Sequence, residues 1–150
     1  MSTSYRKMSS ADLDEAIELW KNSQGIGLSA ADSVEHLEQF LRRNPGFSYV
    51  AIEDSCLVGA VLCGHDGRRG YLHHLAVAES HQRGGIGRQL VEICMKALRT
   101  NGIMKCHLFI FTDNQAGLEF WRRIGWTHRD DLAMMSAWTS PEGQKPDSSS

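Results

Sequence analysis

The run Leu75-Ala76-Val77-Ala78-Glu79-Ser80-His81-Gln82-Arg83-Gly84-Gly85-Ile86-Gly87-Arg88 constrains this chain more than any other stretch. An apolar strand must end near Val77, a short polar link comes next, and a basic, glycine-dense turn opens an amphipathic helix. Glycine lets a backbone approach a ligand with no Cβ in the way. The unpaired N–H groups of a helix start, at the positive end of its dipole, make an anion site. Arg83 and Arg88 add charge. The segment reads as a pyrophosphate cradle at the end of a strand; the plainer alternative is a glycine-rich turn without a ligand.

The rest of the chain fits one domain over residues 1–138, long enough to bury a sizeable core. A Ser-, Pro- and Gly-rich tail over 139–150 is expected to be disordered. With a formal net charge of -2, nothing supports a general nucleic-acid or membrane-surface role. The local basic pairs, such as Arg42-Arg43, Arg68-Arg69 and Arg122-Arg123, read as solvated surface. Cysteines stand at 56, 63, 94 and 106. They form no C-x-x-C, and all four sit in apolar surroundings that suit reduced, buried thiols. The N-terminus lacks an apolar signal core and no run reaches membrane-spanning length, so a cytoplasmic protein is expected.

Patterning gives the element order. A first strand covers 5–8. Helical spacing of Leu13, Ala16, Ile17 and Trp20 gives a first helix, broken by Gln24-Gly25-Ile26-Gly27. A second begins near Asp32 or Ser33, with Val34, Leu37 and Leu41 on its inner face. Three strands over 48–53, 57–63 and 71–77 form an antiparallel meander. A long helix runs from 86 to about 99, then a strand over 105–111, a short helix capped by Asn114, and a last strand over 132–137. The result is an α+β fold with helices on both faces of a sheet.

Gln82-Arg83-Gly84-Gly85-Ile86-Gly87 resembles the Q/R-x-x-G-x-G/A signature of the GNAT superfamily of acyl-CoA-dependent N-acetyltransferases. Leu75-Ala76-Val77 looks like that family's splayed fourth strand. The run Asn114 to Trp126 is similar to its N-x-x-A-x-x-F-Y-x-x-x-G-F segment, and the Gly64-His65-Asp66-Gly67-Arg68-Arg69-Gly70 loop resembles the bacterial YpeA-like branch. A nucleotide P-loop would need a Gly-Lys-Ser/Thr ending, and a Rossmann fingerprint a third glycine in a βαβ unit near the chain start; neither is present. The resemblance implies a mixed, mostly antiparallel twisted sheet of about six to seven strands. It also implies transfer of an acetyl group from acetyl-CoA to a primary amine, by direct attack in a ternary complex. A homodimer is compatible with it.

The resemblance assigns coenzyme binding to Leu75, Ala76, Val77, Gln82, Arg83, Gly84, Gly85, Ile86, Gly87, Arg88, Asn114 and Trp121. The loop amides would hold the pyrophosphate, and the Val77 N–H would donate to the thioester oxygen. His73 is the candidate base, since the family's arylalkylamine acetyltransferases carry a histidine two residues before the corresponding Leu-Ala-Val. Many other members use a glutamate on this strand, and none lies between Gly70 and Val77. An imidazole with pKa ~6.5 can take a proton from an alkylammonium with pKa ~10. Regular alternation puts Tyr71 and His73 on one face of the strand, and Leu72 and His74 on the other. Adjacent histidines then point apart, so no metal site is expected. Trp121 departs from the tyrosine that many members use as general acid, and an indole N–H cannot fill that role. The thiolate then leaves unprotonated or protonated by water, or Tyr71 substitutes, or the chain is a weak catalyst. The short apolar loop Gly25-Ile26-Gly27-Leu28 points to a small or uncharged acceptor. The alternatives are a peptide or protein N-acetyltransferase and a non-catalytic acyl-CoA-binding module.

Overall fold

In the computed structural model of the chain, which describes residues 2–143, a five-stranded sheet runs in the order β1-β2-β3-β4-β5. Strands β1 (Ser4–Lys7), β2 (Tyr49–Glu53), β3 (Cys56–His65) and β4 (Gly70–Val77) pair antiparallel in sequence order. β5 (Cys106–Leu108) lies parallel to β4, and a parallel pair needs a crossover, here helical. α3 (Ile86–Thr100) is that crossover. α1 (Leu13–Lys21) and α2 (Val34–Arg43) precede β2, and α4 (Gln115–Arg123) comes after β5.

Two apolar layers hold the sheet. On one face α1 and α2 bury Leu13, Ala16, Trp20 and Leu37 against Val50, Ala60, Leu62 and Ala76. On the other, α3 buries Ile86, Leu90, Cys94 and Leu98 against Val58, Val61, Cys63 and Leu72. Each fully buried Leu or Val of this kind contributes about 1.5–3 kcal/mol. Glycine is required where strand and helix meet: a Cβ on Gly70 would lie 2.6 Å from Leu98 Cδ1.

The α+β class and the mixed sheet stand, but the expected six to seven strands do not: the described residues form five. The segment 132–137 pairs with nothing in the sheet. Its side chains give no buried face, with Leu132 62%, Met134 67% and Met135 93% exposed. β5 is also shorter than the expected 105–111. Of the cysteines, Cys63 and Cys94 are buried, but Cys56 is exposed at the turn into β3, where two left-handed residues, Asp54 and Ser55, reverse the chain. Of the expected disordered tail, residues 141–143 form one short 3-10 turn and 144–150 lie outside the described residues. No helix of the described residues is long and apolar enough to cross a membrane.

Within β4 the alternation of faces slips. Leu72, Leu75 and Val77 pack toward α3, while Ala76 packs toward α1 and α2. His74 lies on the α1 side as well, its ring 5.3 Å from that of Trp20. His73 faces the same way, 6.0 Å from Phe40 of α2. The cause is a bulge: the β3–β4 register shifts between Ala60 and Leu62, and His74 has φ +55°. A left-handed residue in a strand inserts one extra position and reverses the facing of the residues beyond it. The expectation that Leu72 and His74 share a face is therefore overturned.

Candidate active site

The same bulge opens the sheet. A bulge bends and twists its strand, and β4 and β5 pair only at Gly70, Tyr71 and Leu72. Residues 73–77 of β4 have no β5 neighbour. The Ala78 N–H donates to Val58 O at 2.8 Å on the β3 side. Amide direction alternates along a strand, so the Val77 N–H is directed into the opening. The Val77 carbonyl is already occupied, accepting from Gln82 Nε2 at 3.0 Å. The side chain of Gln82, one of the expected coenzyme residues, thus ties the start of the loop to the end of β4.

Below this opening the chain makes a 3-10 turn over Glu79–His81, tied back to β2 by His81 Nε2 and Glu53 Oε2 at 2.6 Å. Arg83 and Gly85 then take φ +73° and +83° before α3 begins at Ile86. No side chain caps this helix start, so its first amides stay available to an anion. Gly87 brings α3 close to its neighbours: a Cβ there would sit 3.4 Å from Phe120 Cζ and 3.6 Å from Val77 Cγ2. Asn114 caps α4, its Oδ1 accepting from the Gly117 N–H at 2.9 Å. Trp121 packs edge-to-face between Phe120 at 5.2 Å and Trp126 at 4.9 Å.

One continuous cleft of about 1970 Å³ joins these features, running from Arg83 and Gly85 past Val77 to His73, His74 and the α1–α2 loop. A site for one drug-sized ligand is about 300–1,000 Å³, so this cleft has room for a long ligand and a second molecule. Of the expected coenzyme residues, Leu75, Ala76, Val77, Gln82, Arg83, Gly85, Ile86, Gly87, Arg88, Asn114 and Trp121 line it. Gly84 does not, and neither does Tyr71, which stands behind the wall. Tyr71 is stacked between His73 at 6.4 Å and Phe109 at 6.2 Å. The α1–α2 loop closes the far end over the β5–α4 connection. A Cβ on Gly27 would meet Phe111 Cζ at 3.0 Å, and one on Gly25 would overlap the Asn114 side chain.

Sequence reasoning passed over two residues that line the cleft near the α1–α2 loop. His74 Nε2 donates to Asp32 Oδ1 at 2.9 Å, and Asp32 Oδ2 accepts from the Ser29 N–H at 3.0 Å. Burial works to raise the Asp32 carboxyl, but the bonds from His74 and Ser29 outweigh it and hold the group below the usual carboxylate range. Burial, joined by the neighbouring His74, pushes the His73 imidazole below the usual histidine range, with Asp32 opposing. No sequence signal marks this arrangement, because periodicity assumes an unbroken strand. Nor do His73 and His74 point apart as expected: their rings are 6.4 Å from each other. No group of three His, Cys, Asp or Glu side chains among the described residues is disposed to hold a metal ion.

A mixed sheet parted along one edge, with an uncapped glycine-rich helix start at the mouth of the gap, defines the structural class. The chain belongs to the acetyltransferase (GNAT) family, whose model matches residues 13–126. It is 30% identical over 91 residues to N-alpha-acetyltransferase 30 of Schizosaccharomyces pombe, a match covering 57% of this chain and 61% of that protein. It is 26% identical to an acetyltransferase of Sodalis glossinidius, over 83% of this chain and 87% of the other. A crystal structure of the PaiA N-acetyltransferase from Thermoplasma acidophilum, in complex with coenzyme A, shares the fold with a TM-score of 0.78 and 24% identity. That likeness covers 87% of this chain and 92% of the other.

Proposed function

We propose that the chain transfers the acetyl group of acetyl-CoA to a primary amine of a small molecule, by direct attack in a ternary complex. The observation that carries this reading is the parting of β4 from β5 beside the glycine-opened start of α3. In it, the amides from Arg83 to Arg88 bind the pyrophosphate. Pantetheine lies along β4 as an added strand. The Val77 N–H donates to the thioester oxygen as negative charge develops there, a contribution that grows toward the transition state. A β4 imidazole takes the amine's proton. His73 is the residue the resemblance selects, and its lowered pKa keeps it neutral and able to accept.

Trp121 has no acidic proton for the leaving thiolate, and Tyr71 lies outside the cleft lining. The thiolate therefore leaves unprotonated or takes a proton from water. Gly25, Ile26 and Gly27 give the acceptor end a close, largely apolar border, which suits a small amine. A peptide N-terminus is the second reading, favoured by the likeness to an N-alpha-acetyltransferase. A homodimer and a cytoplasmic setting belong to the same reading on the family resemblance.

The test is release of free thiol from acetyl-CoA in the presence of a panel of small amines and a peptide array. Amine-dependent thiol release is the expected result. Coenzyme binding without release on any acceptor would replace the enzyme with a non-catalytic acyl-CoA-binding module.

A further inference from the structure

Resting on that reading of the cleft, we propose that the proton of the acceptor amine is taken by His74, with Asp32 as its positioning residue, rather than by His73. Three observations converge. The Asp32 carboxylate can only accept, so the hydrogen bond at 2.9 Å places the proton of a neutral His74 on Nε2. The lone pair is then on Nδ1, which has no hydrogen-bond partner among the described residues, on a side chain that lines the cleft. The ring is fixed, with Trp20 at 5.3 Å on one side and Asp32 at its end. Asp32 is fixed in turn by the Ser29 N–H on its other oxygen. Among the described residues His73 has ring neighbours but no hydrogen-bonded carboxylate: it meets Phe40, Tyr71 and His74 through their rings.

The backbone supplies the third observation. A left-handed conformation at a residue with a Cβ costs about 1–2 kcal/mol. Such strain persists where the surroundings over-determine it, and it clusters at functional sites. At His74 the strain has one evident result: it turns the imidazole from the α3 side of the sheet into the cleft, against Asp32. The capping of the Ala30–Asp32 turn accounts for Asp32 Oδ2 alone. Its Oδ1 is committed to the histidine.

The chemistry balances without further partners. His74 Nδ1 takes one proton from the ammonium and passes it to solvent, the charged imidazolium being stabilised by Asp32. The freed amine attacks the thioester carbonyl carbon, forming the C–N bond. Collapse of the oxyanion breaks the C–S bond, and the remaining surplus N–H proton ends on the departing thiolate through water. The other ionisable side chains lining this end of the cleft are Glu15 and Glu18 of α1, His36 and Arg43 of α2, and His73.

The test compares kcat, KM for acetyl-CoA and the pH profile of kcat for the full chain and for His74→Gln, Asp32→Asn and His73→Gln. Melting curves and coenzyme binding report the fold of each. Loss of a general base is worth about 10²–10⁴-fold. His74→Gln should lose at least 100-fold in kcat with KM for acetyl-CoA unchanged, and should lose the rising limb of the profile. Asp32→Asn should lower kcat with KM for acetyl-CoA unchanged, because an amide no longer fixes the Nε2 proton and the ring orientation of His74. His73→Gln should keep the limb in place. A limb lost in His73→Gln and kept in His74→Gln overturns the proposal while leaving the acetyltransferase intact. Coenzyme binding without turnover by the unaltered chain overturns both.

Discussion

Asp12 shows how much one side chain organises. It is 5% exposed, accepts from Arg6 Nη1 and Nη2 at 2.8 and 2.9 Å, and also accepts from the Ser9 N–H at 2.8 Å. The bond from Arg6 is the chief cause holding its carboxyl below the usual range, against burial. Half of the Arg6 side chain is in water, which screens the charge attraction. The hydrogen bonds remain, and bonds to a charged group are worth about 1.5–3 kcal/mol. Asp12→Ala should therefore lower unfolding stability by about 2–3 kcal/mol in urea titrations, with the coenzyme cleft unaffected. His74 and Asp32 belong to the same scale. Each is an ordinary residue in the sequence, and only the geometry of one bulge gives the pair chemical meaning.

At the level of elements, helices and strands were readable where their residues carry their own reasons. Leu13, Ala16 and Trp20 repeat at helical spacing, and all three are buried. The meander over β2, β3 and β4 is apolar enough to be sheet whatever packs on it. The glycine-opened start of α3 was legible because glycines after a strand end break it and the amphipathic spacing from Ile86 begins a helix. What the residues could not reveal were long-range events. The slip at His74 depends on β3, the early end of β5 depends on that slip, and 132–137 stays unpaired although β5 forms the outer edge of the sheet. The glycine loop itself yields a discriminating prediction. Gly85 has φ +83° in open space, so an added Cβ meets backbone strain rather than a clash, about 1–2 kcal/mol. Gly84 has no such φ, and its nearest contact would be His81 O at 3.7 Å. Gly85→Ala should lower stability by that amount while Gly84→Ala leaves it within about 0.5 kcal/mol, compared by chemical denaturation.

The whole molecule should register acid in two stages. His73 is held below its unfolded value near 6.5. Between the two values the unfolded chain binds more protons, so stability rises with pH there. The contribution of His73 is complete above about pH 6.5 and fades as pH falls toward the folded value. Asp12 and Asp32 are held below their unfolded value near 3.9. Their contribution is present above that pH and disappears as pH falls through their folded values. The melting midpoint should stay level above neutrality, decline first below about pH 6.5, and decline again below about pH 4. His73→Gln should remove the first decline and leave the second.

The extra residue in β4 behaves like a dislocation in a crystal: every side chain beyond it is out of phase with those before it. Removing one position between 72 and 76 would restore the phase. It would leave Leu75 and Val77 facing α3, but it would remove the left-handed residue that turns His74 toward Asp32, and with it the bend that opens the sheet. Length changes in this strand are thus forbidden to any descendant or redesign that keeps the cleft. New acceptor preferences must come from exchanging side chains around the mouth, with the register left alone.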